Sequence, residues 1–280
     1  MILIIGGTGT VGSEVVKQLA ATGQKFRVLA RDPKKVPALP NIEVAKGDLT
    51  DLASVETALK GVEKLFLLTN STPDSTALQN KVVDAAKKAD VKHVVRLSVL
   101  GADKSSPVQL AQWHAAADEH LKKSGLKWTI LQPGGFVQNI LGSAKTVKEG
   151  AIYGTAGEGK TPMIDARDIA AVAVKALTTP GHDGKTYPLT GKEPLSYADI
   201  AAKISKAIGK PVKYVDLPPE QFKGALVGAG LPEWLAKDYL SMHAYQKSGG
   251  AAAIDPSLGA LIGNVRTFDD FLSAYGAAFR

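Results

Sequence analysis

The chain has 280 residues, of which 45% are hydrophobic and 22% are charged, a balance typical of a folded globular protein and not of a disordered or fibrous one. Its formal net charge is +7, and the basic residues are spread along the chain instead of forming the clustered face that nucleic acids require. With no cysteine present, disulfides, thiolate nucleophiles and cysteine-ligated metal centres are excluded.

Three further patterns narrow the class of protein. No apolar run approaches the roughly 20 residues that a membrane-spanning helix needs, and the apolar start of the chain lacks the basic leader of a signal peptide. The five histidines show no spacing typical of a metal site. We therefore expect a cytoplasmic protein with no nucleic-acid partner, no membrane contact and no bound metal.

Over residues 1–132, short runs rich in β-branched residues alternate with amphipathic stretches of helical spacing. This alternation predicts an α/β fold with a doubly wound parallel sheet, because parallel strands need crossovers between them. The predicted strands are Ile2–Ile5, Lys25–Ala30, Ile42–Ala45, Lys64–Leu68, His93–Ser98 and Lys127–Leu131. The predicted helices are Val11–Ala21, Leu52–Lys60, Ala77–Ala89 and Gln109–Lys123.

After residue 132 the alternation loosens, and proline and glycine become frequent. We expect residues 133–280 to form a smaller, mostly helical C-terminal cap, with some segments returning to the main sheet. Helices are predicted at Ala166–Leu177, at Tyr197–Ile208 (with Ser196 and Asp199 as a capping pair) and at Pro232–Gln246. Strands are predicted at Pro162–Ile164, Thr186–Leu189 and Val212–Val215.

A glycine-rich turn, with the spacing Gly6-x-x-Gly9-x-x-Gly12, follows the first strand and opens the first helix. Glycines there permit a tight turn and let backbone amides approach a pyrophosphate at the helix N-terminus. The alternative is a plain strand-to-helix connection. The residues predicted to bind a dinucleotide in this turn are Gly6, Thr8, Gly9, Thr10, Val11 and Gly12.

The end of the second strand indicates which dinucleotide is bound. Ala30 stands where NAD-selective proteins place a carboxylate for the ribose hydroxyls, and Arg31 follows it. A guanidinium suits a 2′-phosphate, with Lys34 or Lys35 assisting. The cofactor predicted is NADP(H), with NAD(H) as the less favoured choice. Asp32 is predicted either to face the ribose or to pair with Arg31.

Two further strand ends are predicted to contact the cofactor. After the third strand, Asp48 is placed to accept a hydrogen bond from the adenine amino group and Leu49 to cover the ring. Asp48 has an alternative role as the cap of the following helix. After the fourth strand, Thr69 and Asn70 would line the middle of the cofactor.

These motifs resemble the NmrA-like branch of the atypical short-chain dehydrogenases/reductases over nearly the whole chain. The resemblance implies a Rossmann-type domain that binds NADP(H) and a substrate cleft beneath the C-terminal cap. Members of the branch include quinone and triphenylmethane-dye reductases and a redox-sensing regulator. The segments that carry the resemblance are Gly6–Gly12, Val28–Pro33, Lys46–Leu49, Leu131–Phe136 with Asn139, Ile164–Ala170 and Arg266–Phe271.

The chain departs from ordinary short-chain reductases because none of its seven tyrosines has lysine four residues later. His114 falls where one type of relative carries lysine, and residues four apart share a helix face, so Asp118 is predicted to orient or charge it. His114 would then donate a proton or a hydrogen bond to the substrate. The alternative is a pair that only stabilises the helix. Ser98, after the fifth strand, is predicted to lie near the substrate or to satisfy a turn.

The resemblance also implies the remaining site residues. Pro133 and Gly134 correspond to the segment that packs on the nicotinamide. The residues predicted to line the substrate pocket, each with an ordinary core position as its alternative, are Trp113, Phe136, Asn139, Met163 and the stretch Trp234–His243.

The function predicted is an NADPH-dependent reductase that transfers hydride to a conjugated acceptor such as a quinone, a dye or an aromatic polyketide. Such acceptors need no acid at the hydride step, so positioning of the two reactants would supply most of the catalysis. Two alternatives stay open: a non-catalytic NADP(H)-sensing regulator that binds a protein partner, and an epimerase or dehydratase. The oligomeric state expected is a monomer or a homodimer.

Overall fold

The computed structural model describes residues 1–280, and the chain folds into two compact units. The first unit contains Met1–Ser106, Leu110–Pro133 and Ala166–Leu189. The second contains Pro107–Gln109, Gly134–Asp165 and Thr190–Arg280. None of the helices is both long enough and apolar enough to cross a membrane.

Nine strands and eleven α-helices make up the two units, together with short 3-10 helices at Pro33–Lys35, Val137–Ser143 and Gly276–Phe279. The strands are β1 Ile2–Ile5, β2 Phe26–Ala30, β3 Ile42–Lys46, β4 Lys64–Leu67, β5 His93–Leu97, β6 Lys127–Pro133, β7 Ala151–Gly154, β8 Lys185–Leu189 and β9 Lys213–Asp216. The helices are α1 Thr10–Ala21, α2 Leu52–Ala58, α3 Ser75–Lys88, α4 Gln109–Lys123, α5 Ala144–Lys148, α6 Ala166–Thr178, α7 Tyr197–Ile208, α8 Pro219–Gly228, α9 Glu233–Lys247, α10 Ser257–Ile262 and α11 Phe268–Tyr275.

The first unit is built on a seven-stranded sheet in the order β3-β2-β1-β4-β5-β6-β8, with every neighbouring pair parallel. The inner strands are apolar and buried, as a parallel sheet covered on both faces requires. The strand order reverses between β1 and β4, and ligands of such sheets bind at the carboxyl ends of the strands beside that reversal. The predicted Rossmann-type sheet is confirmed, with β8 added at one edge.

The second unit is mostly helical and contains one small parallel pair, β7 with β9. Its α7 begins with the predicted capping box, in which the Asp199 amide donates to Ser196 Oγ at 3.1 Å and the Ser196 amide donates to Asp199 Oδ2 at 2.9 Å. The fully buried side chains of its core include Ile152, Ile204 and Phe271.

The predicted strand Pro162–Ile164 does not form. Only two isolated bridges occur there, Phe136 with Ile164 and Thr161 with Leu195. Because a proline nitrogen has no hydrogen to donate, Pro162 interrupts any longer ladder. Sequence patterns also missed β7, α5, α8, α10 and α11, which are too short or too rich in glycine to show a clear period.

Candidate functional site

The glycine turn after β1 is tight because two of its glycines have no room for a side chain. Gly6 has a φ of +82°, and a Cβ on it would lie 2.4 Å from the carbonyl oxygen of Leu68. A Cβ on Gly12 would lie 2.0 Å from the carbonyl oxygen of Gly6. The amide of Gly9 closes the turn by donating to the Gly6 oxygen at 3.1 Å. The fold itself therefore requires glycine at positions 6 and 12.

Gly9, unlike Gly6 and Gly12, has room for a side chain, because a Cβ on it would meet no protein atom nearer than 3.5 Å. It is the N-cap residue of α1, has no capping side chain, and the first turn of the helix carries no acidic residue. The first amides of an α-helix have no partner within the helix, and here they belong to Thr10, Val11 and Gly12. Thr8, Gly9 and Thr10 are exposed. Open space in front of free amides at a helix N-terminus fits a pyrophosphate.

Arg31, directly after β2, is available to a ligand. Its side chain is 79% exposed, and its ion pair is a long one, 3.7 Å from Nε to Asp48 Oδ2. The predicted pair of Asp32 with Arg31 does not form, because Arg31 pairs with Asp48 instead, and Asp32 Oδ1 accepts from the amide of Lys34 at 3.0 Å as the cap of the 3-10 helix. The other role predicted for Asp32, facing the ribose, stays a prediction. Lys35 is also exposed. The predicted contact of Arg31 with a 2′-phosphate stays a prediction.

Asp48 closes a turn at the end of β3. Its Oδ1 accepts from the amide of Thr50 at 2.8 Å and from the Thr50 hydroxyl at 2.7 Å, and these bonds hold the pKa of the carboxyl below its usual value. Asp51, not Asp48, caps α2, so the predicted alternative of a helix cap is wrong. Leu49 is partly buried against the first unit's core. After β4, Thr69 is partly buried and the remaining predicted cofactor residue there, Asn70, is exposed.

At the carboxyl end of β5 the structure contains a buried polar network that the sequence did not predict. Its centre is Arg96, whose side chain is fully buried. Arg96 Nε donates to Gln79 Oε1 at 2.8 Å, one terminal nitrogen forms an ion pair with Asp118, and the other lies 3.2 Å from His114 Nδ1. Ser98 Oγ donates to the second Asp118 oxygen at 2.7 Å. The available signal was an arginine between the apolar residues Val95 and Leu97 of a predicted inner strand.

The predicted direct contact between His114 and Asp118 does not form. No hydrogen bond joins the two side chains, because the longer guanidinium of Arg96 reaches across from β5 and bonds to both. An arginine can only donate, so His114 Nδ1 is the acceptor and its ring hydrogen is assigned to Nε2. Burial, reinforced by the charge of Arg96, lowers the pKa of His114 to about 3. The imidazole is therefore neutral at physiological pH.

The residues predicted for the substrate and the nicotinamide are divided between the two units. In the first unit, Pro133 ends β6, and Trp113 on α4 is partly buried. In the second unit, the predicted residues are Gly134, Phe136, Asn139 and Met163. Of these, Phe136 and Met163 are partly buried and Asn139 is exposed, so side chains remain available for contact. Their roles stay predictions.

His243, at the end of the stretch predicted to line the pocket, is a core residue of the second unit. It is 5% exposed, stacks on Phe222 with ring centroids 5.1 Å apart, and accepts from the amide of Thr155 at 3.3 Å. Burial lowers its pKa to about 4. For His243, the ordinary core position that the sequence offered as an alternative is the one observed.

A parallel sheet that reverses at β1 and β4, a glycine turn with open amides after β1 and an exposed guanidinium after β2 define a Rossmann-type dinucleotide-binding protein. Comparison with known families agrees. The chain belongs to the NmrA-like family, whose model matches residues 1–272.

Three known proteins show what the chain is similar to. It is 43% identical to an NAD(P)H azoreductase of Xenophilus azovorans over 283 residues, which cover 100% of this chain and 99% of the relative. The structure of an NADPH-dependent quinone oxidoreductase from Escherichia coli, solved with NADPH, superposes with a TM-score of 0.89 at 34% identity, covering 98% and 99% of the two chains. A triphenylmethane reductase from Citrobacter sp., solved with NADP(H), gives a TM-score of 0.86 at 27% identity, also covering 98% and 99%.

Proposed function

We propose that the protein is an NAD(P)H-dependent reductase that transfers hydride to a conjugated acceptor such as a quinone or a dye. The observations that carry the proposal are the open turn at Gly9, which presents free amides at the start of α1, and the exposed guanidinium of Arg31 after the neighbouring strand β2. The similarity to an azoreductase, a quinone oxidoreductase and a dye reductase supports the same activity.

In this proposal the first unit binds the cofactor through its strand ends. The turn from Gly6 to Gly12 holds the pyrophosphate, and Arg31 with Lys35 holds a 2′-phosphate, which favours NADP(H) over NAD(H). The bound nicotinamide supplies the hydride. The remaining residues proposed to contact the cofactor, from the adenine to the nicotinamide, are Asp48, Leu49, Thr69, Asn70, Pro133 and Gly134.

His114 acts as a hydrogen-bond donor and not as an acid. A ring with its pKa near 3 holds no spare proton at neutral pH, but its Nε2–H can stabilise negative charge that develops on a substrate oxygen. The hydroxyl of Ser98 is committed to Asp118, so Ser98 supports the network. The chemistry proceeds without a Tyr-x-x-x-Lys pair, and the proton that completes the reduction comes from solvent.

Substrate contacts belong mainly to residues 133–280, while residues 1–132 serve the cofactor. The residues proposed to line the pocket are Trp113, Phe136, Asn139 and Met163. The proposal includes an aromatic polyketide among the acceptors, because it is conjugated as a quinone or a dye is. A cytoplasmic location and a monomeric or homodimeric state stay predictions from the sequence.

The experiment that tests the proposal is oxidation of NADPH by the pure protein, followed by absorbance, with quinones, azo dyes and triarylmethane dyes as acceptors. Saturable turnover with at least one of these classes is expected. Tight NADPH binding without turnover across the whole panel would contradict the reductase and favour the alternative, a sensing regulator. The three similar proteins are named as an azoreductase, a quinone oxidoreductase and a triphenylmethane reductase, and this favours catalysis.

A further inference from the structure

Arg96 is a charged side chain in the interior of the first unit, and its exposed fraction is 0%. A buried guanidinium is retained only when its donors are satisfied, since an unpaired buried charge is strongly unfavourable. Its three acceptors come from two different helices, Gln79 from α3 and both Asp118 and His114 from α4, and none of them is sequence-adjacent to Arg96. Such a site is over-determined, so its geometry resists rearrangement.

The contact with His114 has a chemical consequence. The guanidinium of Arg96 contains only donor atoms and cannot accept a hydrogen bond. The lone pair at His114 Nδ1 therefore faces the guanidinium, and the ring hydrogen lies on Nε2. The charged groups that face His114 are Arg96 from β5 and, through Arg96, Asp118 from its own helix. Because residues four apart share a helix face, His114 and Asp118 would pair directly if the guanidinium were absent.

We propose that Arg96 is a positioning residue: it holds His114 in the tautomer that carries hydrogen on Nε2, and so makes His114 a hydrogen-bond donor toward the substrate instead of a proton donor. This inference rests on the proposed reductase function for its consequence, but the tautomer itself is a property of the free protein.

The consequence concerns the class of acceptor. Hydride addition to a quinone forms a C–H or O–H bond and leaves the electron pair as negative charge on oxygen, which is then neutralised by a proton from water. A fixed donor stabilises that charge. Hydride addition to a cationic triarylmethane dye forms a C–H bond and cancels a positive charge, so no oxyanion develops. The positioned donor therefore favours quinones over cationic dyes.

The first test is nitrogen-15 NMR of the histidine rings in the wild-type protein without any ligand. The expected result is that His114 carries its hydrogen on Nε2 and does not titrate between pH 5 and 8. His120, on the same helix and 2.8 Å from Asp84, is the internal control for the method. Hydrogen on Nδ1, or titration near the ordinary histidine pKa of about 6.5, would overturn the proposal.

The second test compares two variants by the same NMR measurement. In Arg96→Met the direct pair with Asp118 is expected to form, moving the hydrogen of His114 to Nδ1 and raising its pKa by at least about two units, since a carboxylate replaces a cation as its neighbour. In Asp118→Asn the guanidinium remains, so the tautomer is expected to stay unchanged. An unchanged tautomer in a folded Arg96→Met protein would overturn the proposal. If Arg96→Met does not fold, a move of the His114 hydrogen to Nδ1 in Asp118→Asn would overturn the proposal instead. The wild-type spectrum tests the tautomer in either case.

Turnover supplies the last discrimination. Arg96→Met is expected to lower kcat for quinones about tenfold to a hundredfold, and kcat for a cationic triarylmethane dye much less. Equal losses for both acceptors would mean that Arg96 is only structural and would overturn the proposal. If the wild-type protein reduces neither acceptor, the proposed function fails, whereas the NMR result still decides whether Arg96 positions His114.

Discussion

The structure predicts that a carboxylate at position 9 will separate the stability of the fold from cofactor binding. Gly9 is the N-cap residue of α1, with φ −86° and ψ 178°, which is the extended conformation of a capping aspartate. A Cβ there meets no atom nearer than 3.5 Å, so the Cβ of Gly9→Asp is accommodated without displacing the backbone. In the free protein it can accept a hydrogen bond from the open amides that follow it.

The expected magnitude follows from the cap and the helix dipole. An aspartate cap exceeds glycine by a few tenths of a kcal/mol, and its charge at a helix N-terminus adds about 0.3–1 kcal/mol. The variant should therefore gain roughly 0.5–1 kcal/mol, which raises Tm by about 2 °C in a chain of this size. The same carboxylate occupies the proposed pyrophosphate site with like charge, so the Kd for NADPH should rise at least about a hundredfold.

Thermal unfolding with and without NADPH measures both effects. Wild-type protein should gain Tm with added NADPH, whereas Gly9→Asp should begin slightly higher and gain almost nothing. Gly9→Ala is the matched control, because it adds the Cβ without the charge and should reduce binding less. Undiminished NADPH binding by Gly9→Asp would refute the placement of the pyrophosphate. A loss of more than about 1 kcal/mol in stability would refute the reasoning about open space.

Three other outcomes are expected. Arg31→Ala should raise the Kd for NADPH at least about tenfold and leave the Kd for NADH nearly unchanged. Lys25→Ala is the control for loss of a surface charge. Equal changes in the two Kd values would contradict the proposed preference for NADP(H). Gly12→Ala should lower the free energy of unfolding, measured in urea, by more than about 2 kcal/mol, because its Cβ would lie 2.0 Å from the Gly6 oxygen. The control is Gly276→Ala, which should leave that free energy unchanged because its φ is −59° and a Cβ there would meet nothing within 4 Å. Burial lowers the pKa of His93 and His243 to about 4 and that of His114 to about 3. As the pH falls below about 6.5, the three histidines therefore bind protons in the unfolded chain but stay neutral in the folded chain. Stability present above pH 6.5 should fall as the pH drops toward 4, by up to about 2 kcal/mol per histidine between pH 7 and 5, and urea midpoints that do not change over that range would contradict this burial.

The elements that depend on local pattern were the most predictable. The glycine turn between β1 and α1 was evident because a tight turn before a helix needs small residues at fixed spacing. Helix α4 was predicted with its observed bounds, since apolar residues recur along it with a clear helical period. In contrast, Pro162–Ile164 resembled a strand in composition but had no neighbour able to extend a ladder with it.

Polar side chains were less predictable than the elements that carry them. Asp32 and Asp48 stand near the ends of β2 and β3, and each had a choice between a ligand and a local group. The structure assigns Asp32 and Asp51 to caps and Asp48 to a turn. Short acidic side chains bond to whichever amide the backbone presents, and that geometry is absent from a one-dimensional pattern.

The class of fold, the glycine turn after β1 and the basic residue after β2 could be predicted from the amino-acid sequence, because each depends on neighbours along the chain. The chemistry around His114 could not, because it depends on contacts between distant elements. Asp118 is four residues from His114 on the same helix, yet its charge is bound to Arg96 from β5. A buried guanidinium must satisfy its donors with whatever acceptors adjacent elements bring within reach, so the packing of β5 against α3 and α4 determines the partner of every polar group in the network.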